Sequence, residues 1–199
     1  FFTKEGFVFK FITLLSSLLL VSCVTFVPYI NSNSPIDIYG VTFLPPQNGS
    51  WLVMAASGYQ STLASKGVLE NESLVVNVSI FQLPELDSDE AFLDFIAKSR
   101  ASSPDIGRFE NKENTESLSS LNGAVCVKYH TLSNDMNAKI QGGKAQMVLE
   151  SIGYNCRHPE KNSIGVVIEY SFRHFGKSEH SSLEKDSDAF FKNIQFREF

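Results

Sequence analysis

The chain has 199 residues, of which 43% are hydrophobic and 20% are charged, with 17 Lys and Arg against 22 Asp and Glu. This length and apolar content are typical of a single domain with a hydrophobic core, which excludes intrinsic disorder for most of the chain. The net charge of -5 argues against a nucleic-acid partner and against electrostatic docking on anionic lipid, because both need a positively charged surface.

The first residues differ in composition from the rest of the chain. Lys4 and Lys10 precede an uncharged apolar run that ends in Ser22-Cys23, an order that is typical of a secretory signal peptide. Residues 20–23, Leu-Val-Ser-Cys, resemble the lipobox of bacterial lipoproteins. The resemblance implies lipid on the sulfur of Cys23, cleavage before this residue and acylation of the new amino terminus, which together give a stable membrane anchor.

An uncleaved transmembrane helix is the alternative to a lipid anchor. Residues 11–30 carry no charge and are long enough to span a bilayer. Pro28 within this run and Asn31 directly after it favour the lipoprotein interpretation. Both interpretations export the rest of the chain, because Lys4 and Lys10 remain on the cytoplasmic side of the membrane.

The expected organisation is a signal peptide in residues 1–22, a tether in residues 23–36 and a single domain in residues 37–199. Val24 after Cys23 resembles the pattern that sorts lipoproteins of enteric bacteria to the outer membrane. We therefore expect an exported, membrane-anchored domain at the periplasmic face of the outer membrane, with the inner membrane as the alternative.

Strands are predicted between the tether and the first helix, because short apolar runs are separated there by Gly, Pro and Asn. The clearest run places Val76, Val78 and Ile80 on one face. The strands are expected at residues 38–44, 51–56, 60–65 and 74–83.

The segment that follows has the period of a helix. Asp87 as the N-cap and Glu90 three residues later predict the helix start, and apolar residues recur on one broad face. The helix is expected over residues 88–101. The polar stretch 108–117 is interpreted as an edge strand, because its charges discourage pairing with other chains.

Apart from the predicted lipid acceptor Cys23, the cysteines of the chain are Cys126 and Cys156. Two cysteines in an exported domain predict a disulfide. Both lie in strand-like segments, and turn residues at Asn134-Asp135 and Gly142-Gly143 separate them, so a long hairpin is expected. A metal or redox pair is the alternative role, but the chain has no C-x-x-C motif. The disulfide should stabilise the domain by roughly 3 to 4 kcal/mol in the chain-entropy model.

Pairing of the two cysteines sets the register of this hairpin. Lys128 then lies opposite Tyr154, and His130 lies opposite Ile152. Lys128, His130 and Tyr154 form a polar group on one face of the sheet, which is the candidate recognition patch of this sequence. A solvated sheet face without a ligand is the alternative interpretation.

An alternating strand at residues 166–172 and a second helix that begins with Ser181-Ser-Leu-Glu184 complete the chain. The order of elements predicts an α+β fold, with an antiparallel sheet flanked by two main helices. This order, the Asn122-Gly123 turn before a strand and the closing segment 188–196 resemble the PsbP-like family, which includes bacterial DcrB-like lipoproteins. The resemblance covers residues 36–199 and implies an α/β/α sandwich, adaptor or assembly roles, and no shared catalytic residues.

The sequence contains none of the usual catalytic or cofactor motifs, such as G-x-S-x-G, a phosphate-binding loop, G-x-G-x-x-G or H-E-x-x-H. We therefore expect no catalytic residue and no cofactor. The histidines, His130, His158, His174 and His180, stand singly and lack the spacing of metal ligands, so no metal site is expected.

These features favour a non-enzymatic, membrane-anchored envelope lipoprotein whose domain is a protein interaction or assembly module, with an envelope protein as its partner. A carrier that binds a small apolar or lipid ligand between sheet and helix is the first alternative, and a large cavity lined by phenylalanine would favour it. An envelope hydrolase is the second alternative, and it needs a serine or a carboxylate beside a histidine in a cleft.

Overall fold

A computed structural model of the protein describes residues 28–102, 107–138, 146–175 and 183–199. The strands in these residues are β1 (Tyr29–Ile30), β2 (Ile36–Ile38), β3 (Val41–Phe43), β4 (Trp51–Ser57), β5 (Gln60–Lys66), β6 (Ser73–Gln82), β7 (Phe109–Leu121), β8 (Ala124–Asp135), β9 (Met147–His158), β10 (Lys161–Phe175) and β11 (Gln195–Phe196). Eight of them form one antiparallel sheet in the order β1-β4-β5-β6-β10-β9-β8-β7. The other three form a small sheet in the order β11-β3-β2.

The helices of the described residues are α1 (Asp89–Ala101) and α2 (Leu183–Phe191). The N-cap of α1 is Ser88, whose extended backbone lets its hydroxyl accept a hydrogen bond from the amide of Ala91 at 3.1 Å. The predicted cap, Asp87, therefore lies one residue too early. Neither helix combines the length and the apolar composition that a bilayer crossing requires.

The two faces of the large sheet are covered by different elements. Side chains alternate along each strand, so Cys126 and Val127 of β8 point to opposite faces. The face of Cys126 carries the main core, and α2 and the small sheet cover it. The face of Val127 is partly covered by α1, whose Phe92 and Ile96 are buried there.

The prediction of an α+β fold, an α/β/α sandwich with two main helices, is wrong. Strands take up 56% and helices only 14% of the structure, and the eight-stranded antiparallel sheet dominates it. The physical reason is that strands with one solvated face accept polar residues, so polar segments such as residues 109–121 extend the sheet. Each helix is short beside the strands it lies on and covers only part of a face.

The hairpin of β8 and β9 has the register that the cysteine pairing predicts, with Lys128 opposite Tyr154 and His130 opposite Ile152. The predicted turn at Asn134-Asp135 is wrong, because both residues continue β8 and pair with β9. The edge position predicted for residues 108–117 is confirmed, since β7 is the outermost strand of the large sheet.

Several predicted features lie outside the described residues. They include the signal peptide, the lipobox with Cys23, the Gly142-Gly143 turn, His180 and the start of the second helix at Ser181. The predicted tether is described only from Pro28, and there Tyr29–Ile30 forms β1 and pairs with β4.

Candidate functional site

One end of the molecule brings together exposed aromatic rings from separate parts of the chain. Tyr39 lies in the turn between β2 and β3, Tyr59 lies in the turn between β4 and β5, and Phe199 is the last residue of the sequence. Lys161 begins β10, directly after the turn that follows β9. We call the group of Tyr39, Tyr59, Phe199 and Lys161 the aromatic end.

The side chains of the aromatic end contact one another while remaining open to solvent. The ring centroid of Tyr39 lies 4.5 Å from that of Phe199 and 5.7 Å from that of Tyr59. The exposed fractions of these residues are 39% for Tyr39, 51% for Phe199 and 62% for Tyr59. The ammonium of Lys161 lies 5.0 Å from the centre of the Phe199 ring and donates a hydrogen bond to the Tyr39 hydroxyl at 3.4 Å.

The backbone beneath the aromatic end is held by hydrogen bonds between its segments. The amide of Tyr39 donates to the carbonyl of Gly58 at 2.8 Å, and the amide of Arg197 donates to the carbonyl of Gly40 at 2.9 Å. Gly40 has a φ of +73°, and a β-carbon there would lie 2.7 Å from the Phe199 ring. Only glycine meets both requirements without strain.

His158 supports the same end from inside the fold. Its side chain is fully buried, and its ring lies 4.6 Å from that of Phe199. Nδ1 accepts a hydrogen bond from the amide of Glu160 at 3.2 Å, so the ring proton sits on Nε2, which donates to the carbonyl of Gly40 at 2.9 Å. This histidine has a structural role, and sequence reasoning did not distinguish it from the others.

The structure places the predicted recognition patch on one face of the sheet, but its members differ in depth. The ammonium of Lys128 lies 5.8 Å from the centre of the Tyr154 ring. Tyr154 is buried and packs edge-on against Phe191 of α2, with ring centroids 5.0 Å apart. Of the three predicted residues, Lys128 and His130 therefore offer accessible polar groups, whereas Tyr154 belongs to the core. A recognition role for the patch stays a prediction.

The His130 imidazole has a carboxylate partner. Its Nε2 lies 2.8 Å from Oε1 of Glu150, and the other oxygen of Glu150 lies 3.8 Å from Nε2 of His174. A hydrolase would also need a nucleophile at the imidazole. No serine or threonine hydroxyl in the described part of the chain forms a hydrogen bond with His130. The hydrolase hypothesis therefore has the His-carboxylate pair, but in the described residues no hydroxyl is hydrogen-bonded to the imidazole, and Thr115, which lies opposite His130 on β7, makes no such bond.

The sulfurs of Cys126 and Cys156 lie 2.06 Å apart in a disulfide between β8 and β9. Both residues are fully buried in the main core. Thiol–disulfide exchange requires access of an attacking thiolate to the sulfur, so burial favours a structural role over a redox role for this pair. In residues 28–102, 107–138, 146–175 and 183–199, no cluster of His, Cys, Asp and Glu side chains is suited to hold a metal ion.

A polar network connects α1 to the sheet, and sequence reasoning missed it. The buried Tyr129 hydroxyl donates to Glu169 at 2.6 Å, and the Arg100 guanidinium lies flat on the Tyr129 ring, 3.4 Å from its centre. Arg100 also binds Glu116 at 2.9 Å and Thr131 at 2.8 Å. Burial, followed by the charge of Glu169, raises the pKa of Tyr129 well above its usual value, so this tyrosine is a hydrogen-bond donor and not a base.

A second network fixes the end of β8. The carboxylate of Asp135 is completely buried and accepts hydrogen bonds from Arg173 at 2.9 Å and from Arg108 at 3.2 Å. Burial by itself raises the pKa of Asp135, but hydrogen bonds from Arg108 and from the amide of Asn137, with the charges of both arginines, outweigh it and lower the pKa. Strands β7, β8 and β10 are thereby tied together at this corner.

A pocket of about 280 Å³ opens beside α2, where a carrier would hold its ligand. The amide of Asn48 crosses its wall and donates to Asp186 at 2.8 Å and to Tyr170 at 3.2 Å. Burial raises the pKa of Tyr170 to about 12, with the charge of Asp186 adding to the effect and the Asn48 hydrogen bond opposing it. Ligand pockets typically have volumes of roughly 300 to 1,000 Å³, so this pocket is small for a lipid ligand. Its lining residues are Pro46, Gln47, Asn48, Asp186, Ala189, Phe190 and Asn193.

No family model and no curated protein matches the chain. Among solved structures, it is similar to a point mutant of the protein Mog1, with a TM-score of 0.42 and 14% identity, over 84% of this chain and 96% of that one. It is also similar to the Saccharomyces cerevisiae Ran-binding protein Mog1p, with a TM-score of 0.41 and 11% identity, over 86% of this chain and 96% of that one. At this level of likeness we carry no function over to the chain. The lipobox and the PsbP-like resemblance stay predictions from sequence.

Proposed function

We propose that this protein is a non-enzymatic interaction module that lipid on Cys23 holds at an envelope membrane, and that its aromatic end binds a protein partner. The observation that carries the proposal is the set of three exposed aromatic rings, in which Tyr39 contacts both Tyr59 and Phe199, supplied by two turns and the last residue of the sequence. Tyrosine and phenylalanine are enriched in the buried centres of protein interfaces, where they supply large contact areas at low entropic cost.

The construction of the aromatic end supports binding by a preformed surface. Hydrogen bonds to Gly58 and Gly40 hold the backbone beneath the rings, and buried His158 packs against Phe199. A surface that is already ordered loses less conformational entropy when it binds than a flexible one does. Lys161, which lies over two of the rings, adds a positive charge and favours an acidic group at the matching position of the partner.

The polar networks of the described residues support a non-enzymatic role. Tyr129 and Asp135 are buried and fully engaged in bonds that join strands or anchor α1. These bonds stabilise the fold and satisfy the buried polar groups, so no substrate is needed to explain why the groups are buried. The expected envelope protein partner then accounts for the exposed aromatic rings, which packing within the domain does not.

Photocrosslinking in intact cells tests the partner. A benzoylphenylalanine residue in place of Tyr59 should give a discrete crosslinked product with one protein. The matched control replaces Val68, which is 96% exposed in the turn between β5 and β6, at the opposite end of β5. Crosslinking from position 68 alone, or from neither position, would contradict an interaction through the aromatic end.

The affinity of the purified, full-length protein for the captured partner gives a second measurement. Tyr59→Ala should weaken binding by roughly tenfold, the size of loss expected at an aromatic hot spot, whereas Val68→Ala should leave it unchanged. Equal affinity of both variants would place the interface elsewhere on the domain.

The anchor is tested separately by mass spectrometry of the mature amino terminus. We expect a peptide that begins at Cys23 and carries diacylglycerol and an acyl chain. Cys23→Ser should move the protein from the membrane fraction to the soluble fraction while the domain stays folded. An intact leader in the mature protein would contradict lipidation without affecting the interaction proposal.

A further inference from the structure

The outermost strand β7 presents an open edge in the described part of the chain. It pairs with β8 on one side, and no described strand pairs with its other side. A bulge between Asn111 and Glu113 interrupts the pairing near its start, and from Glu113 to Leu121 the pairing is regular. We call residues 113–121 the open edge. Three of the charges that discourage pairing in the predicted edge strand, those of Arg108, Glu110 and Lys112, precede this segment.

The turn after β7 determines which backbone groups face outward. Asn122 and Gly123 have φ values of +48° and +89°, the pattern of a two-residue type I′ turn. In such a hairpin the flanking pair, Leu121 and Ala124, is hydrogen-bonded, and hydrogen-bonded pairs then recur at every second residue. Odd-numbered residues of the open edge therefore bond to β8. The amides and carbonyls of residues 114, 116, 118 and 120 point away from the sheet.

We propose that the open edge pairs with the same strand of a second copy of this chain, antiparallel and centred on Ser117. In this register the outward groups of Glu116 face those of Leu118 of the second copy, and those of Asn114 face those of Ser120. The pairing thereby satisfies the outward backbone groups on both copies. Ser117 lies opposite Ser117 of the second copy, and Thr115 opposite Ser119, which places hydroxyl side chains together across the junction.

The charges of the strand are compatible with this register. Glu113 and Glu116 are its only charged residues between positions 113 and 121, and they face Leu121 and Leu118 of the second copy. Glu116 also lies diagonal to Glu116 of the second copy, and Arg100 of each copy neutralises this carboxylate through an ion pair of 2.9 Å. A register centred on residue 116 would set two carboxylates opposite each other, and one centred on residue 118 would shorten the overlap. Charge and length therefore both favour Ser117 as the centre.

Exposed apolar side chains lie beside this edge. Leu118 is 39% exposed and Val125 is 36% exposed, and the pairing of β7 with β8 places both on the same face of the sheet. In the proposed pair, Leu118 lies diagonal to Leu118 of the second copy, within reach of a side-chain contact. Self-pairing would thus remove apolar surface from water on both copies.

Cysteine crosslinking of the full-length protein in detergent tests the register. Position 117 would be a non-hydrogen-bonded pair, the kind of position in which Cys126 and Cys156 are joined between β8 and β9. Ser117→Cys should therefore form a disulfide-linked dimer under mild oxidation. Thr115→Cys is the matched control, because residue 115 is exposed like Ser117 but faces Ser119 of the second copy. No dimer from Ser117→Cys, or equal dimer from both variants, would overturn the proposal.

Sedimentation of the full-length protein in detergent provides a second readout. Wild type should show a concentration-dependent dimer, and Ser117→Glu should raise its dissociation constant by roughly fivefold, because two carboxylates then oppose each other at the centre. Within one copy, the introduced carboxylate would face Lys128, so the fold should tolerate the substitution. Ser119→Glu should leave dimerisation unchanged. A wild-type protein that stays monomeric would exclude a second copy as the occupant. Disulfide crosslinks from Ser117→Cys to a different protein would exclude it as well.

Discussion

The hydroxyl of Tyr129 reaches across the neighbouring strand and donates a hydrogen bond of 2.6 Å to Glu169. Tyr129, Gly153 and Glu169 lie side by side on β8, β9 and β10. The middle residue makes the contact feasible, because a β-carbon at Gly153 would lie 2.5 Å from the hydroxyl end of the tyrosine. A glycine in the interior of a strand here marks a close approach of another side chain.

Gly153→Ala should therefore destabilise the domain. The added methyl group would meet both the Tyr129 ring and the carbonyl of Ile168 at 2.6 Å, and backbone cannot move aside cheaply. We expect a loss of roughly 1 to 3 kcal/mol in the free energy of unfolding, measured by urea denaturation. Gly58→Ala is the control, since no atom lies within 4 Å of a β-carbon there, and it should unfold at the wild-type midpoint. Equal midpoints for the two variants would contradict the close approach.

Alkaline pH should destabilise the protein through its buried tyrosines. Burial raises the pKa of Tyr170 to about 12, and it raises the pKa of Tyr129 well above its usual value. An unfolded tyrosine loses its proton near pH 10, so between pH 10 and 12 the unfolded state binds fewer protons and stability falls as pH rises. Each such tyrosine contributes a slope of up to about 1.4 kcal/mol per pH unit.

Tyr170→Phe isolates one of these contributions. Urea denaturation at a series of pH values should give a shallower decline between pH 10 and 12 than in wild type, because one titrating group has been removed. Exposed Tyr59 offers the control, and Tyr59→Phe should leave the slope unchanged. A slope that is the same in all three proteins would show that Tyr170 titrates normally.

Local patterns in the sequence predict much of the sheet. Alternating apolar residues place β4, β5 and β6 to within about two residues of their bounds, and the cysteine pairing predicts the register of β8 and β9. These features depend on neighbouring residues or on one covalent link. The predicted strand at residues 38–44 is instead split into β2 and β3, because Gly40, with a φ of +73°, makes a turn between them.

The aromatic end could not be predicted in the same way. Tyr39, Tyr59 and Phe199 belong to different segments, and no spacing in the sequence relates them. They meet because several turns end at the same side of the molecule, which follows only from the complete strand order. A tyrosine next to a glycine in a short turn, as at Tyr39-Gly40 and Gly58-Tyr59, was the available local signal. The sequence underestimates the extent of the sheet relative to the helices for a related reason, because polar edge strands carry little periodic signal.

Removal of the disulfide should lower stability without changing the fold. Cys126 and Cys156 are 30 positions apart, and a crosslink of that span destabilises the unfolded chain by roughly 3 to 4 kcal/mol in the chain-entropy model. Cys126→Ala combined with Cys156→Ala should lose about this amount in urea denaturation. Under strongly reducing conditions, the free energy of unfolding of wild type should approach that of the double variant. A difference that persists would show that the alanines themselves disturb the core.

Asp135→Asn should destabilise the corner at which β7, β8 and β10 meet. The change leaves Arg173 and Arg108 without their buried carboxylate, and loss of one partner from such an ion pair costs about 3 kcal/mol.

Because the pKa of Asp135 is lowered in the folded state, its contribution to stability is present above about pH 4 and is lost as the pH falls through the folded value. Wild type and variant should therefore converge in stability on acidification, as measured by urea denaturation between pH 7 and 3. Glu110→Gln, which alters an exposed pair with Lys112, should keep the wild-type midpoint. A constant difference between wild type and Asp135→Asn across this range would show that the carboxylate charge is not what holds the corner.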